Sequence, residues 1–194
     1  LVIKKILLDS KVEPSFVDEV IMGQVLTGNV GQNPARQAAI KAGIPKEKTS
    51  YVVNQVCGSG LRSIVAGYQS ILLGDAKIII AGGQESMTNS KEEMMLKDGL
   101  VDAFNNYHMG ITAENVAEKW NISRKDQDDF SISSQAKAQE AIKNKKFQLE
   151  IIDHTSQDEH PRTKVTTESL LKLKTVFKEN GTVTAGNSSG INDG

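Results

Sequence analysis

The chain has 194 residues, 38% of them apolar, with 16 glycines. That is the make-up of a globular domain long enough to bury a sizeable core, and it excludes disorder, collagen and coiled coil. Its 23 Lys and Arg against 24 Asp and Glu leave a net charge of −1, which excludes the broad positive field that nucleic acid or anionic lipid needs.

The N-terminus reads as a helix, because Ile3, Ile6, Leu7 and Ser10 keep helical spacing until Val12-Glu13-Pro14-Ser15 breaks it. Lysines inside Leu1–Leu8 argue against a signal peptide, and a lone cysteine suits a reducing, cytoplasmic setting. Leu1 in place of Met suggests a fragment. Glu19–Leu26 reads as a strand running into the turn residues Gly28, Asn29 and Gly31. Pro34 and Gly43 bracket a helix over 35–42. A second strand over Ser50–Asn54 leads to Cys57-Gly58-Ser59-Gly60, after which Leu61, Ile64, Val65, Tyr68, Ile71 and Leu72 mark one side of a helix that stops at Gly74-Asp75. Lys77–Ala81 is a continuous apolar run suited to a strand buried on both faces, and its longest aliphatic stretch is far too short to span a bilayer. Alternating helix and strand predict an α/β domain with a mostly parallel sheet.

From Gln84 to about Lys178 the sequence turns polar and helix-rich, the texture of an inserted lobe. Thr112 is the expected N-cap of one helix, with Ile111 and Val116 as a hydrophobic staple, and Ser123 with Asp126 opens another that runs to about Lys143. The cluster Lys143, Lys145 and Lys146 reads as a solvated helix end. Thr182-Val183-Thr184 returns to strand character before the turn-rich Ala185–Gly190. The expected division is 1–83 as the first part of an N-terminal domain, 84–178 as the lobe and 179–194 as the return to that domain.

A single cysteine excludes an intrachain disulfide and a Cys-rich zinc site, and no metal site is expected. Lone cysteines are commonly inert and buried. Cys57, however, stands where a buried strand meets a helix start, and free amides there would favour thiolate over thiol. Gly58, Ser59 and Gly60 leave room for an acyl group, as in other strand-to-helix nucleophile turns. On chemistry alone an inert and a catalytic cysteine both remain open.

The stretch Val53-Asn54-x-x-Cys57-Gly58-Ser59-Gly60-Leu61-x-Ser63-Ile64, with Ile71 after six intervening residues, resembles the acyl-enzyme signature of the thiolase family without a departure. Gly28–Arg36, Ala81–Met87, Tyr107–Asn115 and Gly181–Gly190 resemble further thiolase segments in the same order. The resemblance implies a thiolase-like layered α/β fold with a mixed, mostly parallel sheet and an inserted loop lobe. It implies condensation of two acetyl-CoA into acetoacetyl-CoA and CoA, and the reverse thiolysis, through a thioester on Cys57, whose backbone N–H would be one donor of an oxyanion hole. Coenzyme A thioesters would be substrates, with no other cofactor. His108 of Tyr-His-Met-Gly would lie beside the pantetheine arm, and Met109 would shape the acyl pocket. Leu100, Arg162, Ser169 and Ser189 match CoA-contacting positions of short-chain thiolases, and the Arg162 guanidinium suits phosphate or adenine. Without the resemblance, His108 reads as a capping or surface residue, Met109 as core filler, and Ser169 as an ordinary residue near a helix start. His154 and His160 have no role. A homodimer or homotetramer is implied, with the strand before the nucleophile at the dimer interface.

The family's second half carries Asn-Glu-Ala-Phe, Gly-His-Pro and Cys-x-Gly-Gly-Gly segments that supply the activating histidine and an acid/base cysteine. None occurs here, so this chain alone is expected not to turn over. The usual opening strand and its Arg-Thr-Pro turn are absent before Leu1. Asn89–Glu92 and Asp153–Gln157 join segments that longer loops separate in the family. Two alternatives remain: a β-ketoacyl synthase, which shares the fold and a cysteine at a like turn but acts on acyl carrier protein and has a different cysteine neighbourhood, and a non-catalytic thiolase-like module that binds CoA or an oligomeric partner.

Overall fold

The computed structural model describes residues 1–152 and 158–194. It divides into two compact units, one of residues 1–99 with 192–194 and the other of residues 100–191. His154 and the Asp153–Gln157 junction lie outside the described residues.

The first unit opens with helix α1 (Val2–Ser10), whose Ile3 and Leu7 are buried as the spacing predicts. Strand β1 (Glu19–Gly23) follows, then α2 (Pro34–Ala42), β2 (Thr49–Val53), α3 (Ser59–Leu73) and β3 (Ile79–Gly83). The three strands are parallel in the order β2-β1-β3. Successive β1 residues point to opposite faces of the sheet. Val20 and Met22 join Ile3, Leu7, Ala35 and Ala39 in the core beneath α1 and α2. Gly23 points the other way, to α3. Caps explain the helix ends: Pro34 opens α2 behind the Asn33 cap, and Gly43 closes it at φ 96°.

Two strand boundaries differ from the sequence expectation, each because a side chain takes the backbone donors. β1 stops at Gly23 rather than Leu26, since the Val25 and Leu26 N–H groups donate to the Glu85 carboxylate at 2.9 and 3.1 Å. β3 begins at Ile79 rather than Lys77, since the Lys77 and Ile78 N–H groups donate to Asp18 at 2.8 and 3.1 Å. Among the described residues β3 is an edge strand, and only its Ile80 is buried, against the expected burial on both faces.

The face of α3 that meets the sheet is made of small residues, Ser59, Ser63 and Gly67. The Ser63 hydroxyl donates to the Gly60 and Gly82 carbonyls at 2.7 and 2.8 Å, and a side chain at Gly67 would come 3.1 Å from Ile79. The apolar stripe foreseen for this helix therefore faces outward, with Leu61 70% and Leu72 67% exposed. Residues Asn89–Glu92 pass through a tight turn in which the Ser90 N–H donates to the Met87 carbonyl at 3.2 Å, and then enter α4 (Glu92–Met95).

The second unit holds α5 (Met109–Lys119), α6 (Arg124–Lys143) and α7 (Thr167–Leu171). Ser123 and Asp126 form the predicted capping box of α6. Thr112 is not the cap of α5; it lies inside the helix, and His108 caps it. Val116 is consequently exposed rather than part of a staple. Thr182-Val183-Thr184 forms no strand beyond a single antiparallel bridge between Thr175 and Thr184, because its N–H groups go to side chains.

The two compact units divide at residues 99 and 191. Residues 84–99 belong with the sheet, where Glu85 binds the β1 exit. Residues 179–191 belong with the helices, where Glu114 binds Thr182 and Val183.

Candidate active site

Cys57 is exposed on the short turn from β2 to α3, at the carboxyl ends of the parallel strands. The turn is tightly pinned. The Val56 N–H donates to Asn54 Oδ1 at 2.9 Å, and the Gln55 N–H donates to Ser59 Oγ at 2.9 Å, while the Ser59 hydroxyl donates to the Val56 carbonyl at 2.5 Å. Val56 sits at φ 50°, a strained position for a β-branched residue, immediately before the cysteine. The Gly58 and Ser59 N–H groups donate to the Gln55 and Val56 carbonyls at 3.1 and 3.0 Å, so two of the amides expected to be free beside the thiol are already committed. A rigid, strained turn with an exposed thiol and glycine on its far side can present sulfur to an incoming carbonyl.

The candidate CoA-contacting residues all lie in the second unit. His108 Nδ1 accepts the Gly110 N–H at 3.0 Å, and the ring stacks on Phe177 with centroids 4.7 Å apart. The capping role that the isolated residue suggests is thus its structural role, and it leaves Nε2 uncommitted by that contact. Val101 and His108 form an isolated antiparallel bridge, and Leu100 and Met109 are the chain neighbours of that bridged pair. Ser189 is exposed and follows Ser188, whose hydroxyl donates to the Thr184 carbonyl at 2.5 Å. Arg162 is exposed, and its backbone N–H donates to Gln135 Oε1 of α6 at 2.8 Å. Ser169 is exposed and closes the capping box of α7, its hydroxyl donating to the Thr166 carbonyl at 2.7 Å. Leu100, His108 and Met109 are brought together; no contact joins Arg162 or Ser169 to them among the described interactions.

Sequence reasoning passed over two acidic residues. Glu114 lies with Gly110 and Ala117 on the buried stripe of α5, and this pattern, a carboxylate on a stripe of small residues, was the available signal. Asp128 is buried on α6, paired with Arg124 Nε at 2.8 Å. Burial pushes the Glu114 carboxyl up, but the Val183 and Thr182 N–H groups, the Thr182 hydroxyl and nearby Lys178 outweigh it and hold it below its ordinary value. A depressed carboxyl stabilises the fold fully above its unfolded pKa, and the contribution is lost as pH falls through the folded pKa. Acid unfolding followed by circular dichroism should therefore show a second-unit transition below the ordinary carboxylate range, with a shallower pH dependence in Glu114→Gln.

Among the described residues, no group of three or more His, Cys, Asp or Glu stands where it could hold a metal ion, and no helix is long and apolar enough to cross a membrane. A cavity of about 540 Å³ in the first unit is lined by Leu1, Ile6, Met22, Ala38 and Ile80 among others, and Cys57 is not part of it.

The family described as "Thiolase, N-terminal domain" matches residues 1–194. The acetyl-CoA acetyltransferase of Rhizobium meliloti (strain 1021) is 49% identical across 99% of this chain and 56% of its own length. That of Paracoccus denitrificans is 48% identical across 100% of this chain and 56% of its own length. The chain thus spans about half the length of the curated relatives it matches. The Rhizobium match runs over 218 positions, more than the 194 residues present here, so the relative has residues within the matched stretch that this chain lacks. Among solved structures, the Bacillus anthracis acetyl-CoA acetyltransferase superposes with a TM-score of 0.91 at 33% identity, covering 99% of this chain and 55% of the other. The Acat5 thiolase from Ascaris suum, solved in complex with coenzyme A, gives 0.91 at 32% identity over 99% and 56%.

Proposed function

Because the chain belongs to the thiolase family, we propose that it is the nucleophile-bearing part of an acetyl-CoA C-acetyltransferase, which condenses two acetyl-CoA into acetoacetyl-CoA and CoA and runs thiolysis in reverse. The observation that carries this reading is Cys57, exposed on a pinned and strained strand-to-helix turn flanked by glycine. Its sulfur would attack the thioester carbonyl of acetyl-CoA, forming the Cys57 thioester and releasing CoA, which leaves with the thiol proton. The α-carbon of a second acetyl-CoA, stripped of one proton, would then attack that thioester, and Cys57 would recover its thiol as acetoacetyl-CoA departs.

Within this reading the second unit binds CoA. Leu100, His108 and Met109 would contact the pantetheine arm and acyl group, and Arg162, Ser169 and Ser189 the remainder of the carrier. The base for Cys57 and the group that removes the α-proton would come from residues outside these 194. The outward apolar stripe of α3, which starts beside the cysteine, is the surface we assign to the part that supplies them. Two lysine substitutions there, Leu61→Lys with Leu72→Lys, should leave CoA binding intact and prevent assembly with that part, as read by size-exclusion chromatography. β2 is an edge of the described sheet, which suits the dimer interface implied for it, and sedimentation would give the assembly size. A free thiol as the working group fits a reducing, cytoplasmic setting.

Intact-mass spectrometry after incubation with acetyl-CoA tests the reading. An acetyl adduct on Cys57 in the presence of the complementary half, and negligible turnover by this chain alone, is the expected result. Acylation only from acyl carrier protein would favour a β-ketoacyl synthase instead, and CoA binding with an unreactive thiol would favour a binding module.

A further inference from the structure

The buried centre of the second unit is unusually polar: Glu114 is 3% exposed, Asp128 2% and Thr184 0%. A buried carboxylate is tolerated only where hydrogen bonds replace its water, and here residues 182–187 bind both: they supply the Glu114 bonds and, beside the Arg124 pair, a bond to Asp128. The Thr182 N–H donates to both Glu114 oxygens at 2.9 Å, the Thr182 hydroxyl donates at 2.9 Å and the Val183 N–H at 2.8 Å. Five residues after Thr182, Asn187 Nδ2 donates to Asp128 at 3.0 Å and to the Thr182 carbonyl at 3.1 Å, while Asn187 Oδ1 accepts the Thr184 N–H at 2.7 Å. Gly181 leaves the space for this clamp, since a side chain there would meet the Glu114 carboxylate.

The same helix that carries Glu114 begins at His108. Phe177 stacks on the His108 ring, Gly110 provides the room for it, and the Val176 N–H donates to the Val183 carbonyl at 3.1 Å. The chain from Val176 to Asn187 is thus tied to α5 at its start by a ring stack and at its middle by a carboxylate. We propose that Glu114 is a positioning residue that, with Asp128 holding Asn187, fixes the Ala185–Ser189 loop relative to His108 so that both can face one CoA molecule. This rests on the reading of His108 and Ser189 as CoA contacts. Neither carboxylate needs to touch the ligand: each acts through the backbone that carries it.

The test is calorimetric titration of the chain with coenzyme A, together with amide hydrogen exchange and the rate of Cys57 alkylation by iodoacetamide. In Glu114→Gln one acceptor oxygen becomes an NH2 group facing N–H donors. We expect the CoA Kd to rise about tenfold, with faster exchange at Thr182 and Val183. The alkylation rate of Cys57, which lies in the other compact unit, should stay within about twofold, so that loss of the loop is separated from general unfolding. Glu114→Asp keeps the charge at shorter reach and should recover part of the affinity. Asn187→Ala removes the bonds to Asp128, to the Thr182 carbonyl and from the Thr184 N–H while leaving the Glu114 carboxylate itself in place; it should weaken CoA binding about threefold, and decides the matter if Glu114→Gln does not fold. Loop amides released in these variants with CoA affinity unchanged would overturn the proposal. Failure of the unaltered chain to bind CoA would overturn the underlying reading and this role with it, a result distinguishable because the wild type itself fails.

Discussion

Replacing Cys57 with serine is expected to end acyl transfer from acetyl-CoA, lowering turnover of the assembled protein at least about 10⁴-fold. The oxygen of serine ionises far less readily than a thiol of ordinary pKa near 8.5, and an oxygen ester lacks the energy of a thioester. Even if an acetyl group reached the hydroxyl in Cys57→Ser, it would be trapped rather than passed to a carbon nucleophile. The fold should be indifferent to the change. Cys57 is exposed, and the hydrogen bonds that pin its turn come from Asn54, Gln55, Val56 and Ser59 rather than from the thiol. A stability change within about 0.5 kcal/mol is expected. Intact-mass spectrometry with acetyl-CoA, paired with a thermal melt, reads both quantities. Turnover that survives in both Cys57→Ser and Cys57→Ala would remove Cys57 from the reaction.

Gly23→Ala should be the most damaging single-methyl addition in the first unit. The added carbon would stand 2.5 Å from the Gly60 nitrogen and 2.6 Å from the Ser59 oxygen, both backbone atoms of the first turn of α3. Backbone cannot rotate aside as a side chain can, so either the helix start lifts from the sheet or β1 shifts. A cost of about 3 kcal/mol is expected, lowering the melting temperature by roughly 6–12 °C. Because Cys57 lies two residues before Ser59, the displacement should also alter its alkylation rate. Gly60→Ala provides the contrast. Nothing lies within 4 Å of a side-chain carbon there, and alanine is the better helix former by about 1 kcal/mol, so that variant should be neutral or stabilising. Equal melting temperatures for the two variants would show that the close approach of α3 to β1 is not what holds the cysteine turn.

Read from sequence, α1, α2, α3 and α6 emerge with nearly their observed limits, because their signals are local: apolar spacing in α1, Pro34 and Gly43 around α2, Gly74 after α3, and the Ser123–Asp126 box before α6. The alternation of these helices with short aliphatic runs also identified a parallel sheet, and the residues around Cys57 identified the family and singled out Cys57 as the candidate nucleophile. What escaped the sequence depends on partners far along the chain. β1 ends where Glu85 takes its next donors, β3 starts where Asp18 has taken its first, and Thr182–Thr184 is not a strand because Glu114 and Asn187 accept its N–H groups. A carboxylate roughly sixty residues away leaves no periodic trace at the backbone it binds. The orientation of α3 was hidden for a related reason. Apolar spacing announces a sticky face, but the closeness of helix to sheet at Gly23 and Gly67 admits only Ser59, Ser63 and Gly67 between them, so the apolar stripe turns outward. The sequence by itself determined the family and the local helices. The tertiary structure decided which donors were already committed, which face of α3 was left open, and that two buried carboxylates hold the loop before Ser189, because all three depend on groups that meet only when distant segments fold together.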